Sequence, residues 1–229
     1  MEVKLKVGLY PIVANYMLEL MKSKKDSEIL NEMHANIDSM IKIINKKHDV
    51  VFQSIATTLE DVNKIKEYFQ AERVDLIIVV NMTYSEDQFI LNILKEFKYI
   101  PVVIWSYSLI DFNDSGMSIE EFMNCLGPCG TFQSLPAIFR MKRKVKFIYG
   151  KPNKLEVQKK LNDFLDVNLA IKKLKSTNIA LMPYRWDAQT DTMVDEFKLT
   201  NIFGPEVTHH SYHELKKFSL YYIAFYIFL

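Results

Sequence analysis

The stretch from Val74 to Val80 reads V-D-L-I-I-V-V. A nearly unbroken β-branched run bounded by polar residues buries both faces of a strand, and strands of that kind occur inside parallel sheets covered by helices on each side. That one feature commits the chain to an α/β fold, and the flanking sequence agrees. Lys4 to Leu9 alternates with period two and leads to Tyr10-Pro11, read as a strand followed by a break. Residues 12–22 and 27–46 carry helical periodicity, with Asp26 or Ser27 as a cap. Asp49 to Ala56 is β-rich, and Thr57 with Glu60 has the spacing of a capping box for a helix reaching Ala71. Ser85 to Lys98 reads as helix and Pro101 to Trp105 as strand. After the polar stretch Ser106 to Ser118 come a short helix from Ile119 to Cys125, a turn at Gly127-Pro128-Cys129-Gly130, a helix over 132–142 and a strand from Val145 to Tyr149.

Alternation of this kind predicts right-handed β-α-β crossovers and a doubly wound, flavodoxin-like parallel sheet over residues 1–150, with about five strands. Gly150-Lys151-Pro152-Asn153 is the expected domain junction. Residues 151–217 begin a second α/β unit: a helix over 155–176, a strand from Asn178 to Pro183, a helix from Asp187 to Phe197 and a strand from Val207 to Ser211. Read alone, that unit has too few strands to cover its own edges and faces, so it is expected to be an incomplete domain. The segment 218–229 (F-S-L-Y-Y-I-A-F-Y-I-F-L) is uncharged and too short to span a bilayer. It suits a buried element or the product of a truncated or frameshifted reading frame.

Charge narrows the function classes. With 29 basic and 28 acidic residues, the formal net charge is +1, which favours neither nucleic acid nor an anionic membrane as partner. The start, Met1-Glu2-Val3-Lys4-Leu5-Lys6, is too charged for a secretory signal. The two cysteines, Cys125 and Cys129, are too few for a disulfide framework. A cytoplasmic chain with reduced thiols is the natural expectation.

Open parallel sheets bind ligands beyond the C-terminal ends of their strands. On this strand reading that edge presents Tyr10, Asn81-Met82-Thr83-Tyr84, Trp105-Ser106 and the 127–133 loop. Hydroxyls and amides beside aromatic rings suit a sugar, with hydrogen bonds at ring edges and stacking on sugar faces. Tyr10, Asn81, Thr83, Trp105 and Gln133 are therefore the candidate substrate-binding residues, and Gln133 leads them because it follows a Gly-rich turn into a helix. Each has a structural reading beside the functional one: Trp105 can end a buried strand, and Asn81 and Thr83 can cap the next helix.

Other patterns carry less. Gly127-x-x-Gly130 lacks the third glycine of a dinucleotide fingerprint and the lysine of a P-loop. His209, His210 and His213 form the one imidazole cluster, but the segment reads as strand and holds no H-E-x-x-H. Cys125-x-x-x-Cys129 has no second cysteine pair. Arg185, Asp187 and Asp191 could hold hydroxyls or a phosphate, or could sit in a solvated loop before a helix.

Three stretches together resemble the L-fucose and L-arabinose isomerase superfamily, in its N-terminal and middle domains. They are the early strand into Leu9-Tyr10-Pro11, the Ile104-Trp105 strand end with the Gly127 to Gln133 loop, and A-L-M-P-Y-R-W-D from Ala180 with Phe203-Gly204-Pro205-Glu206-Val207. The resemblance covers 1 to about 217 and fails at the aromatic segment. It implies a metal-dependent aldose–ketose isomerase of carbohydrate metabolism, a monosaccharide substrate, Mn²⁺ or a similar divalent ion in the full-length enzyme, and homo-oligomers. It also implies that the metal ligands and acid/base residues lie beyond this chain, which would bind no metal and have no catalytic residue of its own. The competing expectation is a stand-alone sugar-binding or regulatory module on a flavodoxin-like domain.

Overall fold

The structure, a computed structural model, describes residues 3–20, 26–110, 116–182, 185 and 188–217. The first unit is a five-stranded, wholly parallel sheet in the order β2-β1-β3-β4-β5. Its elements are β1 (Lys6–Ile12), α1 (Asn15–Leu20), α2 (Asp26–Ile44), β2 (Asp49–Val51), α3 (Leu59–Glu72), β3 (Leu76–Asn81), α4 (Asp87–Glu96), β4 (Val102–Ser106), α5 (Ile119–Asn124), α6 (Gly127–Arg140) and β5 (Lys146–Tyr149). The flavodoxin-like, doubly wound architecture follows from this order. The chain moves one way from β1 to β2 and the other way from β2 through β3 and β4 to β5. Right-handed crossovers then place α2 on one face and α3, α4 and α6 on the other.

All six residues of β3 are buried, as the β-branched run requires. Ile77 and Val79 join Tyr10, Ile104, Phe69 of α3, Phe89 and Ile93 of α4 and Ile138 of α6 in one apolar cluster. By alternation Ile78 and Val80 face the opposite side. Buried Met33, Ile37 and Met40 of α2 and Val157, Leu161 and Leu165 of α7 (Leu155–Lys175) supply further core. Each such side chain contributes about 1.5–3 kcal/mol on burial. Ion pairs from Lys47 to Asp166 and from Lys151 to Glu32 tie the α7 region to α2.

Three local expectations are corrected. The first strand does not break at Tyr10-Pro11 but runs to Ile12, with Pro11 opposite Val80. The prolyl nitrogen points to the β2 side, as the Pro11 carbonyl does where it accepts from the Ala56 N–H at 2.9 Å. Because β2 pairs only as far as Gly8 opposite Val51, the missing donor falls beyond its end and costs no ladder bond. Second, Gly127-Pro128-Cys129-Gly130 is the first turn of α6, not a turn before it. Third, the capping box of α3 lies one residue later than the spacing predicts. Thr58 is the N-cap and Asp61 its partner.

The Asp61 Oδ2 accepts four hydrogen bonds, from the backbone and hydroxyl of both Thr57 and Thr58, at 2.9–3.0 Å. Burial pushes this carboxyl up, but the Thr57 and Thr58 donors outweigh it and hold it below the ordinary range. A depressed folded-state value contributes stability that is present above the unfolded value of about 3.9 and lost as pH falls through the folded one. Asp61→Asn should therefore be less stable than the parent at pH 7, by about 1 kcal/mol. That difference should shrink as the solution is acidified below about pH 4, which urea titrations across pH would show.

The compact first unit extends through Asn168, so Gly150-Lys151-Pro152-Asn153 lies within it. The unit from Leu169 contains a two-stranded parallel sheet, β6 (Asn178–Leu181) beside β7 (Glu206–His209), with α8 (Glu196–Phe203) between them in sequence. Over the described residues 188–197, the expected helix from Asp187 to Phe197 is replaced by a 3-10 turn at Thr190–Thr192 and the start of α8, whose N-cap Asp195 accepts from the Lys198 N–H at 2.9 Å. Asp187 and residues 218–229 lie outside the described residues. No helix among the described residues is long and apolar enough to cross a membrane.

Candidate functional site

The C-terminal ends of β3 and β4 are closed by the first turn of α6, and glycine makes that approach possible. A Cβ on Gly127 would stand 2.5 Å from the Tyr107 carbonyl oxygen and 2.7 Å from that of Asn81. A Cβ on Gly130 would stand 2.8 Å from the Asn81 amide nitrogen. Asn81, fully buried, donates to Thr131 Oγ1 at 3.3 Å and accepts from Ser85 Oγ at 3.0 Å. With its amide turned over, it donates to the Thr83 carbonyl at 2.7 Å and accepts from Thr131 N–H at 3.0 Å. In either orientation the protein satisfies it. Thr83 is equally buried and donates to the Met123 carbonyl at 2.9 Å.

Of the five residues proposed from sequence, four are thus accounted for by the fold. Asn81 and Thr83 pin the strand edge to α5 and α6. Tyr10 lies in the apolar cluster, edge-on to Phe69 at 6.5 Å, with its hydroxyl on the Phe89 carbonyl at 3.3 Å. Burial, with Asp61 adding to it, pushes that hydroxyl far up. Trp105 is fully buried and donates from Nε1 to the Gly150 carbonyl at 2.8 Å. None of the four presents a free polar atom to a ligand. The longer β1 explains Tyr10, since a residue read as a strand terminus is in fact interior to one.

Gln133 is exposed. Its Oε1 accepts from the Tyr84 hydroxyl at 2.7 Å, which leaves the two amide N–H groups as the remaining donors of this exposed side chain. Tyr84 also meets Tyr16 of α1, with ring centroids 6.1 Å apart and planes at 49°. The Ala14 N–H to Tyr84 carbonyl bond, at 2.9 Å, ties the loops after β1 and β3 together. These are the two strands between which the chain reverses its direction of travel across the sheet, the place where doubly wound sheets open a crevice.

Glu86, just before α4, adds a carboxylate oxygen that is buried without a hydrogen-bond partner. Burial, followed by the nearby Tyr84, Glu86 and Cys129, pushes the Tyr16 hydroxyl above its ordinary value. Two aromatic rings, an amide and a carboxylate are thus gathered on one edge. Tyr84 and Gln133 were legible in sequence, whereas Tyr16 and Glu86 were not. Both directly follow the strands flanking the reversal, so knowledge of strand order would have found them.

Among the described residues no three His, Cys, Asp or Glu side chains gather where they could hold a metal ion. The Mn²⁺ implied by the resemblance therefore finds no donor set among them. His209 Nε2 instead meets Glu196 at 2.8 Å, and Glu196 also takes Arg185 at 2.8 Å. The His209 hydrogen bond is the main cause holding the Glu196 carboxyl below its ordinary range. Arg185 also donates to the Thr192 carbonyl at 2.7 Å, so it braces the loop before α8. Cys125 is buried, with its Sγ donating to the Ile110 carbonyl at 3.2 Å, and Cys129 is exposed; neither is in a disulfide.

No protein-family model and no curated protein matches the chain. Among solved structures, similarity is found to the lac repressor dimer bound to operator and the anti-inducer ONPF, at 10% identity. The match covers 91% of this chain and 74% of that one with a TM-score of 0.30, too slight to bear on architecture or function.

Proposed function

We propose that this chain is the substrate-positioning α/β portion of a metal-dependent aldose–ketose isomerase of the L-fucose and L-arabinose type, with a monosaccharide held by Tyr16, Tyr84, Glu86 and Gln133. The observation that carries this reading is the Tyr16–Tyr84–Gln133 cluster at the reversal of strand order. Aromatic faces stack on the C–H face of a sugar. The Gln133 amide donates to a hydroxyl oxygen, and the unpartnered Glu86 oxygen accepts from a hydroxyl proton. What these residues do is orient the sugar and displace water from it. Resemblance assigns the divalent metal and the carbon-proton transfer to residues outside this chain, and it implies homo-oligomeric assembly of the whole enzyme.

Saturation-transfer NMR with L-fucose and L-arabinose tests the reading. Both sugars should show binding, and Gln133→Ala and Tyr84→Phe should each weaken it about five- to tenfold, the effect of one hydrogen bond. With Mn²⁺ added, no ketose should form above background. Turnover by this chain, or sugar signals indifferent to both substitutions, would overturn the assignment.

A further inference from the structure

A second concavity lies beside the sugar cluster and is chemically unlike it. It is a groove of about 1020 Å³ floored by Ile104, Ser106, Phe147 and Tyr149 and walled by α6. Phe132, Phe139, Phe147 and Tyr149 line it and are exposed, at 67, 78, 44 and 62%. Isolated apolar side chains on a surface are ordinary, but a contiguous aromatic strip marks a binding surface.

Two further observations indicate what binds there. Ser106 and Ser108 line the groove, are 5 and 7% exposed, and have hydroxyl oxygens that are buried without a hydrogen-bond partner. A buried, unpaired hydroxyl is destabilising, and a ligand oxygen arriving at that end would remove the cost. Leu126, Pro128 and Cys129, from the start of α6, line the groove as well. The N-cap Leu126 offers no side-chain cap, and the first turn carries no acidic residue. The positive end of a 14-residue helix therefore has no side-chain cap and no acidic side chain in its own first turn. No Asp or Glu is among the described residues lining the groove, and Lys160, an exposed residue, adds a positive charge.

We propose that the groove binds a free carboxylic acid with an apolar body. Its carboxylate accepts from Ser106 and Ser108 beside the first turn of α6, and its hydrocarbon lies along Phe132, Phe139 and Phe147. Mostly apolar walls with a few converging donors are the usual make-up of small-molecule sites, and the volume suits one. This site does not depend on the sugar reading.

Calorimetric titration with decanoate below its micelle concentration tests it, with decan-1-ol as the uncharged control. Decanoate should bind saturably, one per chain, and decan-1-ol at least about tenfold more weakly. The double variant Ser106→Ala/Ser108→Ala should weaken decanoate about tenfold or more with an unchanged or raised thermal midpoint, since it deletes unpaired hydroxyls. Phe147→Ser, at an exposed position, should weaken decanoate while the chain remains folded. Equal binding of acid and alcohol, no saturable binding, or decanoate binding indifferent to the double variant would overturn the proposal. So would a self-associated chain that Phe147→Ser makes monomeric and that takes up no decanoate, because a second copy would then be the occupant.

Discussion

Gly127→Ala should lower the thermal midpoint of the first unit by about 6–12 °C, corresponding to about 3 kcal/mol. The added methyl would meet two backbone carbonyl oxygens at 2.5 and 2.7 Å, and neither can swing aside as a side chain can. One belongs to the last residue of β3 and the other follows β4, so relief requires the first turn of α6 to lift from both strand ends. Two other glycines calibrate the effect. Gly130→Ala meets the end of the Asn81 side chain at 2.8 Å and the Ser85 backbone nitrogen at 3.1 Å, a clash that is partly relievable, so its effect should be smaller. Gly116 has a φ of +95° with nothing within 4 Å of a Cβ, so alanine there costs only backbone strain, about 1–2 kcal/mol. Differential scanning calorimetry of the three variants should rank them in that order. A Gly127→Ala protein as stable as its parent would mean that α6 does not seat on the strand ends.

These glycines also show where sequence reading stops. Gly127-Pro128-Cys129-Gly130 looks like a turn because glycine and proline most often serve conformation. Here proline occupies the first turn of a helix, where its missing N–H costs nothing, and glycine serves close approach. Composition cannot separate those uses. By contrast the run through Val79 was decisive, because burial of both faces leaves few alternatives. Pro11 misled for want of one long-range fact, the shortness of β2, without which a proline inside an interior strand looks forbidden. Gln133 and Tyr84 were recoverable because polar residues next to a helix start are visible locally. Tyr16 and Glu86 required knowing that β1 lies beside β3, which no local pattern encodes.

Trp105 separates the two roles that sequence left open for it. As a fully buried residue of β4, with its indole N–H bonded to the Gly150 carbonyl at 2.8 Å, it should be costly to remove. Trp105→Ala should lose about 3–5 kcal/mol from the lost transfer energy and the cavity left behind, and urea unfolding would measure it. Trp105→Phe keeps most of the ring but leaves the Gly150 carbonyl without its indole donor, at a cost of about 1–3 kcal/mol. That carbonyl belongs to the turn after β5, where Gly150 has a φ of +125° and its N–H bonds to the Ser106 carbonyl at 3.1 Å. The loss should therefore loosen the β4–β5 edge before the rest of the sheet, visible as faster amide exchange at Ile148 and Gly150. Sugar binding by the folded Trp105→Phe protein should match the parent, because Tyr16, Tyr84 and Gln133 meet through β1, β3 and α6 and not through the indole. A Trp105→Phe protein with parental stability and no sugar binding would return Trp105 to the pocket and displace the cluster at the strand reversal as the site.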